Sequence, residues 1–536
     1  MKTFYINGTI LTMEEELYAE AVCVEDGRIQ AAGTQEEVLK LRKEEDEIVD
    51  LQGKTMLPGF IDGHSHFTGT ANAMTQCDLS DCKSFAEIVA SMKEFKNRRN
   101  LSDEAWLVGC NYDHNFLAEG RHPDRFVLDE ISETNPVLLI HASSHMGVTN
   151  SLGLQLQGID ENTEDSEDGR YGRVEGSRTP NGYMEEKVFL EFQSKLPMTP
   201  VEELFRLMGE AQNLYASYGI TTIQDGMVGK PLFQLLKAAS EMGILRQDIV
   251  GYVDIVTASD LMKEECDYVG KYHNHLKLGG YKVFLDGSPQ GKTAWMTEPY
   301  VGEEEYRGYP IHSDEKLKGY ISHALDEQQQ LLAHCNGDAA AEQYISQFEK
   351  ILKERDSKDC HRAVMVHAQL VRKDQLKRMA EIRMMPSFFV AHTYYWGDIH
   401  VKNFGLERGS RISPVKDAME YGMKFTFHQD TPVVPPNMMH TVSCAVNRIS
   451  REGKVLGENQ RIPVLEALKA ITIYGAHQYH EEKEKGTIAP GKYADFVVLN
   501  SNPLESDVSK LAEIKVDMTI KENRVIYRRG NNNESA

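Results

Sequence analysis

The sequence predicts an α/β protein: a (β/α)8 TIM barrel, a small β-sandwich domain assembled from both chain ends, and an insertion after the first barrel strand. Three observations carry this expectation. Eight short apolar runs, each followed by helix-like sequence, fill the middle of the chain. Alternating runs punctuated by turn residues fill both ends. The first two apolar runs lie about 150 residues apart, far more than a βα unit requires.

The elements follow in chain order. At the start, "TFYINGTILTM", "EAVCVEDGRIQAAG" and "DEIVDLQG" alternate polar and apolar positions around Asn-Gly and Asp-Gly pairs, which favour hairpin turns. "KGTIAPGKYADFVVLNSNP" and "IKVDMTIKENRVIYRRG" repeat the style at the other end. Neither piece is long enough to bury a core alone, so residues 1–56 and 483–530 are expected to form one small domain together. Residues 57–482 then make the barrel, with strands in "LPGFIDGH", "GITTIQDG", "DIVGYVDIV", "GYKVFLDGS", "LLAHCNGD", "AVMVHAQLV", "MMPSFFVAH" and "KFTFHQDTP". Residues from about 70 to 198 read as the insertion, a lid over the barrel mouth. The tail "GNNNESA" reads as disordered.

Composition narrows the function. Hydrophobic residues at 41% and charged residues at 26% describe an ordinary globular protein. With 59 basic against 82 acidic side chains, the net charge of −23 argues against a nucleic-acid partner. No run reaches the ~18 to 20 apolar residues of a membrane span, and "MKTFYINGTILTMEEE" turns acidic too early for a secretion signal. Eight scattered cysteines without a CxxC pair fit reduced thiols. The expectation is a cytoplasmic protein acting on a small molecule, away from membranes, with a homodimer plausible for a barrel with exposed helices.

In such a barrel, chemistry gathers at the carboxyl ends of the strands. "TMLPGFIDGHSHF" delivers His64 and His66, two apart and on one side if the strand continues. The fourth strand carries Lys282 inside an apolar run, the fifth ends in His334, the sixth in His367, and the eighth in His428 and Asp430. Singly, each has a plain reading: His334 or His367 as a hydrogen-bonded core histidine, Lys282 as an ion-paired lysine, Asp430 as a turn initiator. Together, His64, His66, His334, His367, Lys282 and Asp430 are a mixed N/O ligand set that suits zinc.

The order PGFIDxHxH, strand-four Lys, strand-five His, strand-six His and strand-eight Asp resembles the metal-dependent amidohydrolase superfamily over nearly the whole chain. "SSHMGVTNSLGL", "TPNGYMEE", "KVFLDGSPQGKTA", "HCNGDAA", "HQDTPV" and "EKGTIAPGKYADFVVLNSNPL" resemble its YtcJ-like branch, which includes N-substituted formamide deformylases. The resemblance implies one or two divalent ions. In the two-ion case His64 and His66 hold one, His334 and His367 the other, and a carboxylated Lys282 bridges them. It also implies that Asp430 touches the first ion while handling protons. Glu185, in "GYMEE", matches a glutamate of the branch and reads as a further anion, a substrate contact or an ordinary helix residue. His145 and Asn150 fit a branch pattern that lines the pocket. His428-Gln429 replaces the usual Gly-Ser, and His392 and His400 are additions; these three histidines are candidate substrate contacts.

This constellation implies hydrolysis of a non-peptide amide-type C–N bond, in an N-acyl or N-formyl amine or a cyclic amide, with Asp430 taking the proton of the attacking water. Two alternatives stand beside it. A mononuclear deaminase would place a glutamate shortly after the strand-five histidine, where "HCNGDAAAE" offers Asp338. A non-enzymatic barrel scaffold would have lost ligands that this chain retains.

Overall fold

Turn chemistry builds the terminal sheets. Asp26 and Gly27 both take positive φ (52° and 74°), joining Ala21–Glu25 to Arg28–Gly33 through a two-residue turn whose twist matches the strands. Glu522 and Asn523 (φ 49° and 65°) do the same between Val516–Lys521 and Arg524–Arg528. The computed structural model describes residues 1–99, 101–143, 145–166, 169–197 and 199–530, so all of the expected disordered tail but Gly530 lies outside the described residues. It divides into two compact units, one of residues 1–70 with the chain from 208 onward, the other of residues 71–207.

The first unit holds three sheets. A four-stranded one runs in the order Arg28–Gly33, Ala21–Glu25, Thr3–Ile6, Glu47–Asp50. A six-stranded one runs Arg524–Arg528, Val516–Lys521, Phe496–Leu499, Thr55–Pro58, Thr9–Leu11, Tyr18–Ala19. Phe496 pairs with Pro58 and Leu499 with Thr55, so strands from both chain ends share this sheet. One apolar cluster draws Tyr5, Val22 and Val24 from the first sheet and Met56, Phe496 and Ile520 from the second.

The third sheet has eight strands, all parallel and in chain order: Phe60–Ile61, Ile220–Val228, Asp248–Asp254, Leu276–Phe284, Gln330–Cys335, Val364–His367, Met385–Phe388 and Thr426–Phe427. Each of the eight apolar runs supplies one strand. The sheet curls like a barrel wall until its first and last strands approach: the Gly63 N–H donates to the Phe427 carbonyl at 3.2 Å. A Cβ on Gly63 would lie 2.6 Å from Thr426 Oγ1 and 2.9 Å from that carbonyl oxygen, so the approach requires glycine.

One expectation needs correcting. The strand expected in "LPGFIDGH" is shorter than that run: Leu57 and Pro58 belong to Thr55–Pro58 of the terminal sheet, and only Phe60–Ile61 joins the parallel one. Gly59 marks the change, since a Cβ there would meet the Thr221 side chain at 2.5 Å. His64 and His66 therefore sit beyond the strand end, and the turn, not strand alternation, sets their direction.

A buried ion network ties the parallel sheet to the terminal one. Lys521 Nζ lies 2.8 Å from Asp248 Oδ2 and 2.9 Å from Asp495 Oδ2, and Lys485 also pairs with Asp248. Burial alone would raise the Asp248 pKa, but Lys485 and Lys521 more than offset it and hold the carboxyl well below its usual range. Burial would likewise lower Lys521, yet Asp248 and Asp495 raise it. The signs follow: the Asp248 contribution is present above its unfolded pKa near ~4 and is lost as pH falls, while that of Lys521 is present below ~10 and is lost as pH rises. Lys521→Met, which leaves two buried carboxylates short of a partner, is expected to cost about 3–5 kcal/mol at pH 7. Denaturant unfolding checks this; a loss below 1 kcal/mol would show the network to be dispensable.

The second unit, taken by itself, is a six-stranded sheet in the order Gly169–Arg173, Pro180–Glu186, Met146–Thr149, Val137–His141, Leu107–Tyr112, Gln76–Asp78. Phe85, Ile88 and Met92 of the helix Phe85–Arg99 pack on one face, and Phe189 and Phe192 of Lys187–Ser194 pack beneath Leu138 and Met184. Among the described residues no helix is long and apolar enough to cross a membrane.

Candidate metal centre

His64 is buried, and its tautomer is fixed by a chain of contacts. The Gln224 amide nitrogen donates to the Gly63 carbonyl at 3.0 Å and to the Tyr479 hydroxyl at 3.0 Å, which turns the Gln224 oxygen toward His64 Nδ1. Burial, followed by the positive field of Lys282, pushes the His64 pKa down to about 4, so the ring is neutral. Its proton is therefore on Nδ1, and Nε2 presents a lone pair. His66 Nδ1 faces the Gly226 carbonyl at 3.0 Å, which can only accept, so this ring too turns Nε2 inward.

Both Nε2 atoms lie 3.2 Å from one oxygen, Asp430 Oδ1. That oxygen is buried, and the two ring nitrogens flank it. The Asp430 carboxylate raises the His66 pKa against the effect of burial, which marks a place that favours positive charge. A tetrahedral ion with bonds of about 2.0–2.1 Å sets its ligand atoms roughly 3.3–3.4 Å apart, close to the spacing found. The donor set fits a divalent metal.

A second pair stands alongside. His334 Nε2 faces the Gly287 carbonyl at 3.2 Å, leaving Nδ1 directed at His367 Nε2, 2.9 Å away. Burial pushes the His334 pKa down to about 3 and His367 well below its ordinary value. His367 Nε2 is 4.0 Å from Asp430 Oδ2. Lys282 is fully buried and its amine has no partner among the described residues. Burial pushes its pKa down to about 7 although Asp430 draws it up.

The other candidates fall out differently. His428 was expected at the substrate; instead its ring is fully buried with both nitrogens engaged, Nε2 at 3.1 Å from His367 Nδ1 and Nδ1 at 2.9 Å from Ser387 Oγ. Its contact with Nδ1 orients the His367 ring. His392 and His400 follow the seventh strand, buried, with rings 5.4 Å apart. Among the described residues, both His400 ring nitrogens and His392 Nδ1 have no hydrogen-bond partner.

In the second unit, Asn150 is corrected from pocket residue to scaffold. Its Oδ1 accepts from Val137 N (3.0 Å) and Gly153 N (2.9 Å), and its Nδ2 donates to the Asn135 carbonyl (3.0 Å), which caps Ser151–Leu156 and consumes the side chain. His145 is exposed beside Glu186, at 3.2 Å. Glu185 accepts from the Tyr183 hydroxyl at 2.9 Å.

Asp338, the residue a deaminase would need to replace by glutamate, accepts from Thr297 N at 2.8 Å and pairs with Arg372 at 3.0 Å. Asp286 is a fold anchor too, accepting from the N–H groups of Asn336, Gly337 and Trp295 at 2.7–3.0 Å. Gln224, which orients His64, escaped the sequence reading; the signal was a polar Gln-Asp pair inside the apolar run "GITTIQDG".

Comparison with known proteins agrees with this geometry. Residues 47–527 match the Amidohydrolase family. The YtcJ protein of Bacillus subtilis (strain 168) is 28% identical over 98% of this chain and 99% of its own length. The N-substituted formamide deformylase of Arthrobacter pascens is 26% identical over 98% of each. The crystal structure of an uncharacterized metal-dependent hydrolase from Pyrococcus furiosus superposes with a TM-score of 0.75 at 25% identity, covering 94% of this chain and 100% of that one. The chain belongs to the amidohydrolase family, in its YtcJ-like branch, and is a metal-dependent hydrolase of carbon–nitrogen bonds.

Proposed function

We propose that this enzyme hydrolyses a non-peptide amide-type C–N bond in a small molecule, an N-acyl or N-formyl amine or a cyclic amide. The observation that carries the reading is the meeting of His64 Nε2 and His66 Nε2 on one buried oxygen of Asp430. The name of the Arthrobacter pascens relative supports N-formyl amines as the first compounds to try.

His64, His66 and Asp430 would hold one divalent ion, His334 and His367 a second, with zinc suited to this nitrogen-rich set. The bound metal supplies two things: it acidifies water and polarises the scissile carbonyl. Asp430, held in place between His64 and His66, accepts the proton of the attacking water and returns it to the leaving nitrogen. Lys282 would be carboxylated. Its neutral amine attacks carbon dioxide, a C–N bond forms, one proton leaves, and the resulting carbamate is an anionic oxygen donor where a bare amine had no partner. A pKa near 7 supports this, since the neutral amine is accessible at physiological pH.

His392 and His400 serve the polar part of the substrate in this reading. Burial holds both rings neutral, so each offers one N–H donor and one lone pair. His400→Leu is expected to raise KM about tenfold with little change in kcat, and to leave stability equal or higher, because it removes buried unpartnered nitrogens. Steady-state kinetics and thermal unfolding check both; loss of stability with unchanged KM would make His400 a core residue.

Two wider points belong to this proposal: the terminal sheets face each other as a β-sandwich, supported by their shared apolar cluster, and the protein works in the cytoplasm, supported by its eight unpaired cysteines. The deciding experiment is to strip the protein with a chelator, restore zinc with bicarbonate, and assay N-formyl and N-acyl amines for release of carboxylic acid and amine. Zinc-dependent release supports the proposal. Ammonia from an aminated ring, with no amide cleavage, would point to the deaminase.

A further inference from the structure

A second cluster of ligand-type side chains lies inside the 71–207 unit. We propose that Asp113, His114 and His141 form a separate binding site for a divalent ion of zinc-like preference. Asp113 and His114 follow the strand Leu107–Tyr112, and His141 ends the neighbouring parallel strand Val137–His141, paired across from Tyr112. The register shifts between Gly109 and Tyr112, and Asn111 takes a positive φ of 65°. A bulge of this kind re-aims the side chains that follow it.

The distances are near those a tetrahedral ion would set, with Asp113 standing a few tenths of an ångström wide. His114 Nδ1 is 3.2 Å from His141 Nε2, and Asp113 Oδ1 is 3.8 Å and 3.6 Å from those two atoms. Bonds of about 2.0–2.1 Å place ligand atoms roughly 3.3–3.4 Å apart. His122 stacks on the His114 ring at 3.9 Å and is held through Nδ1 by the Tyr112 hydroxyl at 3.0 Å, which limits how His114 can turn. The His141 side chain is 9% exposed while those of Asp113 and His114 are 27% and 28%, so an ion has a way in and room for water as a fourth ligand.

A competing arrangement sets the strength of the site. Without an ion, one proton can bridge His141 Nε2 and His114 Nδ1, favoured by the Ser143 N–H, which meets His141 Nδ1 at 3.0 Å. Coordination moves that proton to His141 Nδ1, where Ser143 Oγ, also at 3.0 Å, accepts it. The ion must displace one hydrogen bond, so this site is expected to be weaker than the barrel centre. The cluster of Asp248, His275 and Glu522 makes a contrast: Lys485 and Lys521 already neutralise Asp248, leaving no charge for a metal.

The test uses the full chain, stripped by chelator and equilibrated with cobalt(II) alone. Elemental analysis counts ions per chain, and visible absorption reports their geometry. His114→Ala and Asp113→Asn should each hold one ion fewer than the parent. The double variant His64→Asn/His66→Asn should retain an ion that is lost when His114→Ala is added. Parent-like counts in both His114→Ala and Asp113→Asn, with folding verified by circular dichroism, would overturn the site. So would a His64→Asn/His66→Asn protein whose remaining ions are unaffected by His114→Ala. The inference does not depend on the barrel centre, because the variants separate the two counts.

Discussion

Asp430→Asn is expected to fold normally and to lose turnover by about 10²- to 10⁴-fold, the range for removing a positioned proton-transfer group. The amide keeps the size of the carboxylate, so packing is preserved, but it takes away the negative charge on which His64 and His66 converge at 3.2 Å. Two losses then combine: the group that carries the proton from water to leaving nitrogen, and one oxygen ligand. Bound metal should fall in parallel with kcat. His64→Asn tests the ligand part alone, since it leaves Asp430 as a base. Kinetics and elemental analysis on the same preparations separate the two. A folded Asp430→Asn enzyme with undiminished kcat would remove Asp430 from the chemistry.

Lys282→Met is expected to do two opposite things: abolish the binuclear centre and stabilise the metal-free protein. The amine is fully buried with no hydrogen-bond partner among the described residues, and burying such a group costs about 1–3 kcal/mol on mutational scales. Methionine fills similar volume without that cost. The pH dependence has a defined sign. The folded pKa, down to about 7, lies below the unfolded value near ~10.4, so the unfolded chain binds more protons between them and stability rises with pH across that window. The gain from Lys282→Met should therefore be largest below pH 7 and fade toward pH 10. Denaturant unfolding in chelator and carbon-dioxide-depleted buffer checks it. With metal and bicarbonate present, the parent should bind about one more ion than the variant, and ¹³C-bicarbonate should give a carbamate resonance in the parent only. A variant with full activity and the parent's ion count would eliminate the bridging role.

Much of this was legible in the residue order because it depends on local chemistry. Eight apolar runs named eight strands, since a buried parallel strand is apolar on both faces. Asp26-Gly27 named a hairpin, since both positions need positive φ. The candidates for ligands stood out because histidine, lysine and aspartate are costly at apolar strand ends unless something there uses them. Asn150 and His428 were misread for the complementary reason. A polar residue beside a motif looks the same whether it faces a substrate, caps a helix or holds another histidine, and only its partners distinguish these roles.

By itself, then, the sequence determined the strand count, the pairing of the chain ends and the identity of the candidate ligands, because periodicity, turn preference and side-chain chemistry are properties of short segments. The tertiary structure decided the rest. The shared Asp430 oxygen, the unpartnered Lys282 amine, the inward-facing nitrogen of His64 set by Gln224, and the grouping of Asp113, His114 and His141 all involve atoms brought together from separate elements. Directions and distances between such atoms are fixed by packing, and packing is not a property of any one segment.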